Sequence, residues 1–486
     1  MIKCDKKIKF NRVNKKIFRE YDIRGKYPKE LDESSAYVLG LAFAKMTGSK
    51  KIVVGRDTRL ESEKVFWPLV DGLIAGGLRV YNLGVCATPE LFFAVGAKKF
   101  PGGVMVTASH SPAGQTGFKF CDGQGRVYGL KTGLKKLEKV ANQEVKKTWN
   151  MEYGTWNIKS KKQEIKKTRN QENKKSKTDF ISVASAYKKF ALSFVKPAQV
   201  SGLKIILDAS SGAGSHLADV VFSTLPLRAT YVNFQPNDKY PDHGLNPLLP
   251  ENQTVVSTEI KKQHADLGII FDGDADRAIF LDEQGKFVQP YYINCLMAEI
   301  ILQLKKKITI VVDGRLNLAI AQTIKKNGGR ILSHRAGYAN FIHTMSAKKL
   351  LFGCENSGHF MFNFSLKQNP SYVYGDVIIP VLLVLKYLKE NKIKLSQAVK
   401  KFKDDYVISG ELNFPISNFG RAVKKIKNNF KGAKFSKLDG LSVWGKNQDW
   451  FFNLRPSHTE PVVRLNLEAR NLKILQQLKE QVLKLF

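Results

Sequence analysis

The sequence predicts an α/β protein with three similar α/β domains, whose sheets are mixed but mainly parallel, and a smaller C-terminal α+β domain. Apolar, strand-like runs alternate with helix-like segments as far as about residue 403, a pattern that requires crossover connections. From about residue 405 the strands become shorter and are joined by one basic helix. At 486 residues, the chain is also too long for one hydrophobic core.

The first α/β unit is predicted for residues 1–178. Helices are expected at 36–46 and 61–76, and strands at 51–55, 78–83 and 104–106. The last strand leads into a polar loop, 107–119, which offers the hydroxyl of Ser109, the imidazole of His110 and the cation of Lys119. Open α/β sheets place chemistry at the carboxyl ends of their strands, so this loop is the first candidate site. Taken alone, it also fits an ordinary Ser/Pro/Gly turn.

A basic stretch, 144–178, separates this unit from the next. It holds eleven Lys or Arg residues against four Glu and few aliphatic residues. Such a segment cannot bury much apolar surface, so we predict a surface insertion or linker. A docking arm for an anionic partner is the alternative.

The second unit, predicted for 179–287, ends its central strand at 267–271 and continues with the motif DGDADR at 272–277. In extended backbone the carboxylates of Asp272, Asp274 and Asp276 would face the same way. Carboxylates without His or Cys favour Mg²⁺. Gly273 is expected to permit a tight turn. A solvated acidic turn is the alternative.

The third and fourth units, predicted for 288–403 and 404–486, each contribute one polar loop. In the third, Glu355, Ser357 and His359 could hold sugar hydroxyls, although a structural turn fits equally well. The fourth carries a loop at 454–464 that suits an anion, because it combines guanidinium groups with hydroxyls. Its candidate phosphate-binding residues are Arg455, Ser457, His458, Thr459 and Arg464.

The formal net charge of +36 raises the possibility of a basic nucleic-acid-binding or surface-binding protein. The lysines are spread along the whole chain, however, and no nucleic-acid module is recognisable, so we favour a compositional bias. The five scattered cysteines fit a reducing compartment. No apolar run approaches the ~20 residues of a membrane span, and no signal peptide is visible, so we expect a cytoplasmic protein without a membrane partner.

Five motifs together resemble the α-D-phosphohexomutase superfamily, and most closely its bacterial and archaeal phosphomannomutase/phosphoglucomutase group. In order, they are FREYDIRG (18–25), TASHSP…GFK (107–119), DGDADR (272–277), ENSGH (355–359) and RPSHTEPVVRLN (455–466). The resemblance runs from Phe18 to Arg470, except for the 144–178 stretch. The chain departs from the usual pattern at Ser111, Thr116 and His458, and at Tyr338, where a histidine often follows the glycine. The last departure bears on the substrate preference.

The resemblance implies four domains around a central cleft, with Ser109 carried as phosphoserine. Ser109, Asp272, Asp274 and Asp276 would then hold Mg²⁺, with Arg277 beside it. Arg24, His110 and Lys119 would flank the phosphoserine, and Lys119 is the leading acid/base candidate. The third-domain loop would bind the sugar, and the fourth-domain loop would bind the phosphate that is not reacting.

The implied enzyme is an isomerase that moves a phosphoryl group reversibly between the 1 and 6 positions of mannose or glucose phosphate. The intermediate would be a hexose 1,6-bisphosphate, which also serves as activator. We expect the phosphosugar as the partner, no nucleic acid, and a monomer or weak dimer. The alternatives are a phosphoglucosamine mutase and a Mg²⁺-dependent phosphatase.

Overall fold

The computed structural model describes residues 12–148, 178–237, 244–367, 369–415, 418–456 and 462–485. These residues form four sheets, each with its own helices. Three sheets are mixed and the fourth is antiparallel, which confirms the predicted fold class.

The first domain has a six-stranded sheet in the order β1-β5-β4-β2-β3-β6. Its elements are β1 (Ile23–Lys26), α1 (Glu33–Thr47), β2 (Lys51–Arg56), α2 (Leu60–Ala75), β3 (Arg79–Val85), α3 (Thr88–Ala97), β4 (Gly102–Val106), β5 (Gln115–Asp122), α4 (Lys135–Thr148) and β6 (Thr178–Phe180). Strand β6 extends this sheet across the predicted boundary at residue 178, and the four domain boundaries stay predictions.

The predicted loop at 107–119 is in large part a hairpin. Strand β4 is parallel to β2, as its apolar run indicated, but β5 returns antiparallel to β4. Lys119 lies in β5, directly opposite Met105, and not in the loop. The Ser/Pro/Gly turn therefore reverses the chain and brings both of its ends to the same sheet edge.

The basic stretch that we predicted from residue 144 begins later. Helix α4 continues to Thr148, and Glu144 and Val145 are buried in it. Glu144 also forms an ion pair with Lys45 of α1, so the prediction of a solvated segment was wrong for these residues. Residues 149–177 lie outside the described ranges.

The second and third domains share one layout, in which parallel central strands are continued by antiparallel hairpin strands. The second sheet has the order β11-β10-β9-β7-β8, and the third β13-β12-β14-β15-β16. The second domain comprises α5 (Ala184–Ala191), β7 (Lys204–Asp208), α6 (Gly214–Phe222), β8 (Arg228–Val232), α7 (Thr254–Gln263), β9 (Leu267–Phe271), β10 (Ala278–Leu281) and β11 (Phe287–Val288). The third comprises α8 (Pro290–Leu304), β12 (Thr309–Asp313), α9 (Leu318–Lys326), β13 (Arg330–His334), α10 (Tyr338–Lys348), β14 (Phe352–Cys354), β15 (Phe360–Leu366), β16 (Asn369–Gly375), α11 (Ile378–Asn391) and α12 (Leu395–Asp405).

The fourth domain is an antiparallel sheet in the order β17-β21-β20-β19-β18. It comprises β17 (Val407–Pro415), α13 (Phe419–Asn429), β18 (Lys434–Ser436), β19 (Leu441–Trp444), β20 (Trp450–Pro456), β21 (Val462–Ala469) and α14 (Leu472–Leu483). Its apolar core, which includes Ile426, Leu454 and Leu478, is separate from the large core that runs through the other three domains.

No helix within the described ranges is both long and apolar enough to cross a membrane. The expected cytoplasmic location and the monomeric or weakly dimeric state stay predictions.

Candidate active site

The hydroxyl of Ser109 lies between the first and second domains. Its Oγ donates to Asp272 Oδ2 at 2.8 Å and lies 3.2 Å from His110 Nδ1. Ser109 is only 2% exposed, and its backbone adopts a left-handed conformation with φ of +53°. A non-glycine residue held in that region is strained, so the surrounding contacts must fix it. The loop therefore aims one hydroxyl at an acidic side chain of the neighbouring domain.

Arg59, which the sequence analysis missed, supplies most of those contacts. Its Nη2 donates to the carbonyl oxygens of Ser109 and Ser111, both at 2.6 Å, and its Nη1 donates to that of Pro112 at 3.2 Å. The side chain is 1% exposed and lies 3.3 Å from the carboxylate of Asp57. The available signal in the sequence was an arginine two positions after an aspartate, just beyond an apolar strand. Charged side chains are found buried where an opposite charge pairs with them.

The three aspartates predicted to hold a metal are brought together. One oxygen from each of Asp272, Asp274 and Asp276 lies within 4.8 Å of the others, and all three side chains are buried. Asp274 Oδ1 accepts no hydrogen bond from the described residues. Buried carboxylate oxygens with such an open acceptor fit a hard divalent cation, and Mg²⁺ takes oxygen ligands of this kind.

The reason given for this convergence was wrong, however. Residues 272–277 form a turn and not an extended segment: the Ala275 amide donates to the Asp272 carbonyl at 2.9 Å, and Ala275 carries φ of +53°. Asp272 Oδ1 also accepts from the amides of Asp276 and Arg277, which closes the turn. A Cβ on Gly273 would lie 2.9 Å from the Ser109 carbonyl oxygen, so this glycine permits the close approach of the two loops.

Lys119 connects the first domain to this acidic cluster. Its Nζ donates to Asp274 Oδ2 at 2.6 Å and to Asp276 Oδ2 at 2.5 Å. Burial opposes the charge of Lys119, but Asp274 and Asp276 outweigh it and raise the pKa of the ammonium. Thr88, at the start of α3, adds a hydroxyl donor to Asp274 Oδ2 at 2.7 Å. With the contact from Ser109 to Asp272, the first domain thus donates hydrogen bonds to all three carboxylates.

The pKa values of both ionisable groups in contact with the Ser109 hydroxyl are shifted. Burial, together with the charges of Arg277 and Arg24, keeps the pKa of His110 well below its ordinary value, so the ring is neutral. Burial and the neighbouring Asp276 and Asp274 raise the pKa of Asp272 to about 8. A divalent cation at this position would reverse that shift, because it favours the ionised carboxylates.

Arg24 and Arg277 add two guanidinium groups near this centre. Arg24 Nη1 donates to Ser111 Oγ at 2.8 Å, and its Nη2 forms a 2.5 Å ion pair with Asp22. Arg277 Nε lies 3.7 Å from Asp272 Oδ2. Both residues line the same cavity as Ser109.

The third-domain loop brings Glu355, Ser357 and His359 to the metal loop. His359 Nε2 lies 3.2 Å from Asp276 Oδ1, and its Nδ1 lies 2.8 Å from Ser357 Oγ and 3.3 Å from Glu355 Oε2. Burial disfavours the charged ring, yet Asp276 raises the pKa of His359 to about 9. Glu355 Oε1 accepts from the Gly337 amide at 2.6 Å. These side chains form one connected network rather than separate ligands.

Tyr338 stands where the resemblance leads us to expect a histidine, and its side chain makes other contacts in this chain. Its hydroxyl accepts from the Gly375 amide at 2.7 Å, and its ring packs 5.7 Å from that of His359. Tyr21 of the first domain reaches the same region, because its hydroxyl donates to the Ala336 carbonyl at 2.8 Å. Tyr338 therefore supports His359, and Tyr21 is a second cleft residue that the sequence analysis did not select.

The fourth domain supplies further cations to the cleft. Arg455 and Arg464 are cross-strand partners in β20 and β21, and both line the cavity. Arg315 of the third domain, which the sequence analysis also missed, joins them through a shared contact with Glu411. The remaining predicted clamp residues, Ser457, His458 and Thr459, lie outside the described ranges.

One cavity of about 680 Å³ connects these groups. All four domains contribute to its walls, including Ser109 from the first, Arg277 from the second, Glu355 from the third and Arg455 from the fourth. The cavity is lined by the candidate hydroxyl nucleophile, by part of the acidic cluster, by the polar network of the third domain and by the arginine cluster. Such a cavity can bind a small molecule that carries anionic groups.

Comparisons with known proteins cover almost all of the chain. Four domain families match in order: phosphoglucomutase/phosphomannomutase α/β/α domain I at 15–148, domain II at 183–285, domain III at 289–406, and the C-terminal domain at 411–485.

Full-length relatives agree with these matches. A phosphomannomutase of Methanocaldococcus jannaschii is 33% identical, with 96% of each chain covered. One from Vibrio cholerae is 30% identical, with 96% of this chain and 97% of the relative covered. The crystal structure of a phosphoglucomutase/phosphomannomutase family protein from Burkholderia thailandensis is 25% identical and superposes with a TM-score of 0.80, covering 97% of both chains.

Proposed function

This chain belongs to the phosphoglucomutase/phosphomannomutase family and is a phosphohexomutase, and on that premise we propose its substrate and mechanism. The substrate is mannose or glucose phosphate, and the phosphoryl group moves reversibly between the 1 and 6 positions. The observation that carries this proposal is the 2.8 Å contact between Ser109 Oγ and Asp272 Oδ2, inside a cavity that also contains Arg455 and Arg464. The same cavity therefore holds a candidate nucleophile and candidate anion-binding groups.

The proposed reaction has two transfers with one nucleophile. Phospho-Ser109 gives its phosphoryl group to the free sugar hydroxyl, which loses its proton, and the product is a hexose 1,6-bisphosphate. The bisphosphate then reverses its orientation in the cleft. Ser109 takes the other phosphoryl group, and the released sugar oxygen is protonated. The bisphosphate would also act as activator, because it phosphorylates an empty Ser109.

Positioning and charge neutralisation supply most of the catalysis in phosphoryl transfer. Mg²⁺, when held by Asp272, Asp274, Asp276 and the Ser109 oxygen, would neutralise charge on the transferring phosphoryl group. Lys119 and Arg277 would add positive charge beside it, and Lys119 is the proposed proton donor and acceptor. His110 and Arg24 would hold the serine loop. Ser109 is 2% exposed, and this burial limits the access of water to the phosphoserine.

Arg455 and Arg464 would bind the phosphate that is not reacting, together with Ser457, His458 and Thr459. Glu355 would accept hydrogen bonds from the sugar hydroxyls, and Ser357 would accept or donate them. His359 would orient both of these side chains. The cleft must accept either end of the bisphosphate, so recognition should be similar in both orientations.

Removal of the Ser109 hydroxyl tests this mechanism. The Ser109→Ala variant should lose isomerisation of hexose 1-phosphate by at least about a thousandfold, because no other group would receive the phosphoryl group. The assay measures conversion of the 1-phosphate to the 6-phosphate with bisphosphate present, and mass spectrometry measures phosphorylation of residue 109. Ser223→Ala, at an exposed serine of the second domain, is the matched control. Full turnover by the Ser109→Ala enzyme would refute the covalent mechanism.

A substrate panel decides between the alternatives. The 1-phosphates of mannose, glucose and glucosamine are compared by kcat/KM, and we expect mannose or glucose to be preferred. A preference for glucosamine would identify the rival mutase. Net release of inorganic phosphate, without the 6-phosphate, would identify a phosphatase.

A further inference from the structure

Three guanidinium groups converge on the carboxylate of Glu411. Arg464 Nη1 lies 3.2 Å from Glu411 Oε1, while Arg315 Nη1 and Arg455 Nη2 lie 3.4 and 3.7 Å from Glu411 Oε2. Arg315 belongs to the third domain and the other two arginines to the fourth. Glu411 therefore joins the two domains at these arginines.

Strand β17 presents Glu411 to the cavity from an irregular position. Its register with β21 shifts between Ile408 and Glu411, and Gly410 carries φ of +72°. A bulge of this kind changes the direction of the side chain that follows it. The Glu411 side chain is 29% exposed, so it remains in contact with solvent and can leave the arginines without unfolding a core.

Asp313 provides a second carboxylate at this point. It pairs with Arg315 through Nε at 2.9 Å, whereas Glu411 contacts all three guanidinium groups. Burial and the nearby Arg315 lower the pKa of Arg455, as expected where guanidinium groups lie close together.

A phosphate monoester carries about −1.5 to −2 charges at pH 7. It therefore carries more negative charge than the single carboxylate of Glu411 and neutralises more of the charge on the arginines. The two anions also compete for the same donors, because guanidinium groups bind carboxylates and phosphates with the same N–H groups. Like charges held this close repel each other, so both cannot occupy the arginines.

We propose that Glu411 takes the place of the substrate phosphate in the empty cleft and is displaced by it. The carboxylate keeps the three guanidinium groups together and ties the fourth domain to the third until a phosphosugar arrives. A dianion displaces it, whereas a monoanion gains little, so the exchange sets both affinity and selectivity. This inference rests on the proposed function, since it takes the arginines as the phosphate-binding site.

Binding of inorganic phosphate to the full-length protein, measured by titration calorimetry, tests the exchange. Glu411→Gln keeps the size of the side chain but removes its charge, so phosphate should bind at least about fivefold more tightly, and KM for the hexose phosphate should fall. Glu480→Gln, at an exposed position of α14, removes the same charge far from the arginines and should leave both values unchanged. Circular dichroism checks that each variant is folded.

Weaker or unchanged phosphate binding by folded Glu411→Gln would overturn the proposal, because Glu411 would then only organise the arginines. If that variant does not fold, Glu411→Asp replaces it. The shorter side chain retreats from the guanidinium groups and should also strengthen phosphate binding; weaker or unchanged binding would overturn the proposal equally. Arg455→Lys separates this outcome from failure of the proposed function. If it leaves phosphate affinity unchanged, the assignment of the arginines as the phosphate site is wrong.

Discussion

Ser109 and Arg59 are the residues whose pairing is least visible in the sequence. Ser109 is held in a left-handed conformation, and the carbonyl oxygens around it point at one buried guanidinium group. A forked guanidinium can donate to several carbonyl oxygens at once, whereas an ammonium cannot hold them in the same fixed geometry. The position of the nucleophile therefore depends on a side chain 50 residues earlier in the chain.

The substitution Arg59→Lys should separate charge from geometry. The lysine keeps the ion pair with Asp57 but loses the fork, so we expect kcat to fall by about tenfold or more. The free energy of unfolding should fall by about 1–3 kcal/mol, because carbonyl groups lose their donors. Steady-state kinetics and denaturant unfolding provide the two values.

Arg79→Lys, at an exposed arginine paired with Asp179, is the matched control and should change neither value by much. A normal kcat in the folded Arg59→Lys enzyme would show that the loop holds Ser109 without the fork.

At the scale of elements, Glu468 connects β21 of the fourth domain to helix α9 of the third. Its Oε2 accepts from the amides of Asn317 and Leu318 at 2.9 and 2.7 Å, and its Oε1 accepts from the Ala319 amide at 2.8 Å and the Tyr291 hydroxyl at 2.6 Å. The residue is fully buried. Helix amino termini have free N–H groups and favour negative charge, so one carboxylate caps the helix and docks a domain.

We expect Glu468→Gln to destabilise the protein by about 2–4 kcal/mol, because an amide NH₂ would face backbone donors in a buried site. The fourth domain should also become more susceptible to limited proteolysis, and KM should rise because Arg455 and Arg464 belong to the same sheet. Thermal unfolding, proteolysis and kinetics measure these effects, with Glu480→Gln as control. Unchanged stability would mean that other contacts dock the domain.

At the scale of the whole molecule, the domains differ in how they are joined. One apolar core includes residues of the first three domains and Phe451 of the fourth, while the first and fourth domains each have a further core of their own. The cleft lies where all four meet, so each domain delivers part of the site. The basic segment 149–177 lies outside the described residues; by composition it carries nine Lys or Arg against three Glu, a net charge of +6.

Replacing residues 149–177 with a Gly/Ser segment of equal length tests whether this charge serves catalysis. We expect mutase turnover to stay within about twofold, because the cleft is built from the folded domains. Retention on heparin should fall, because positive charge is removed. A segment of the same length that keeps the lysines is the control. A large loss of turnover with the Gly/Ser segment alone would contradict this expectation and favour a docking role.

The sequence by itself determined the fold class and the chemistry of the loops. The spacing of hydrophobic residues and the apolar runs are local properties of a sequence. Short segments were therefore enough to predict the strands ending at Val106 and Phe271 and the polar loops after them. The convergence of Asp272, Asp274 and Asp276 was predicted for the wrong reason, because a turn closed by backbone hydrogen bonds replaces the expected extended segment.

Only the tertiary structure decided which distant residues support those loops. Arg59, Arg315, Glu411 and Glu468 belong to no motif of the site, and each acts through partners from 44 to 177 positions away. The contacts of Arg59 lie within the first domain, whereas those of Arg315 and Glu468 connect the third domain with the fourth, and no local pattern records either kind of contact. Burying a charged side chain costs too much free energy unless the fold supplies a partner. These roles therefore become visible only once the domains are assembled.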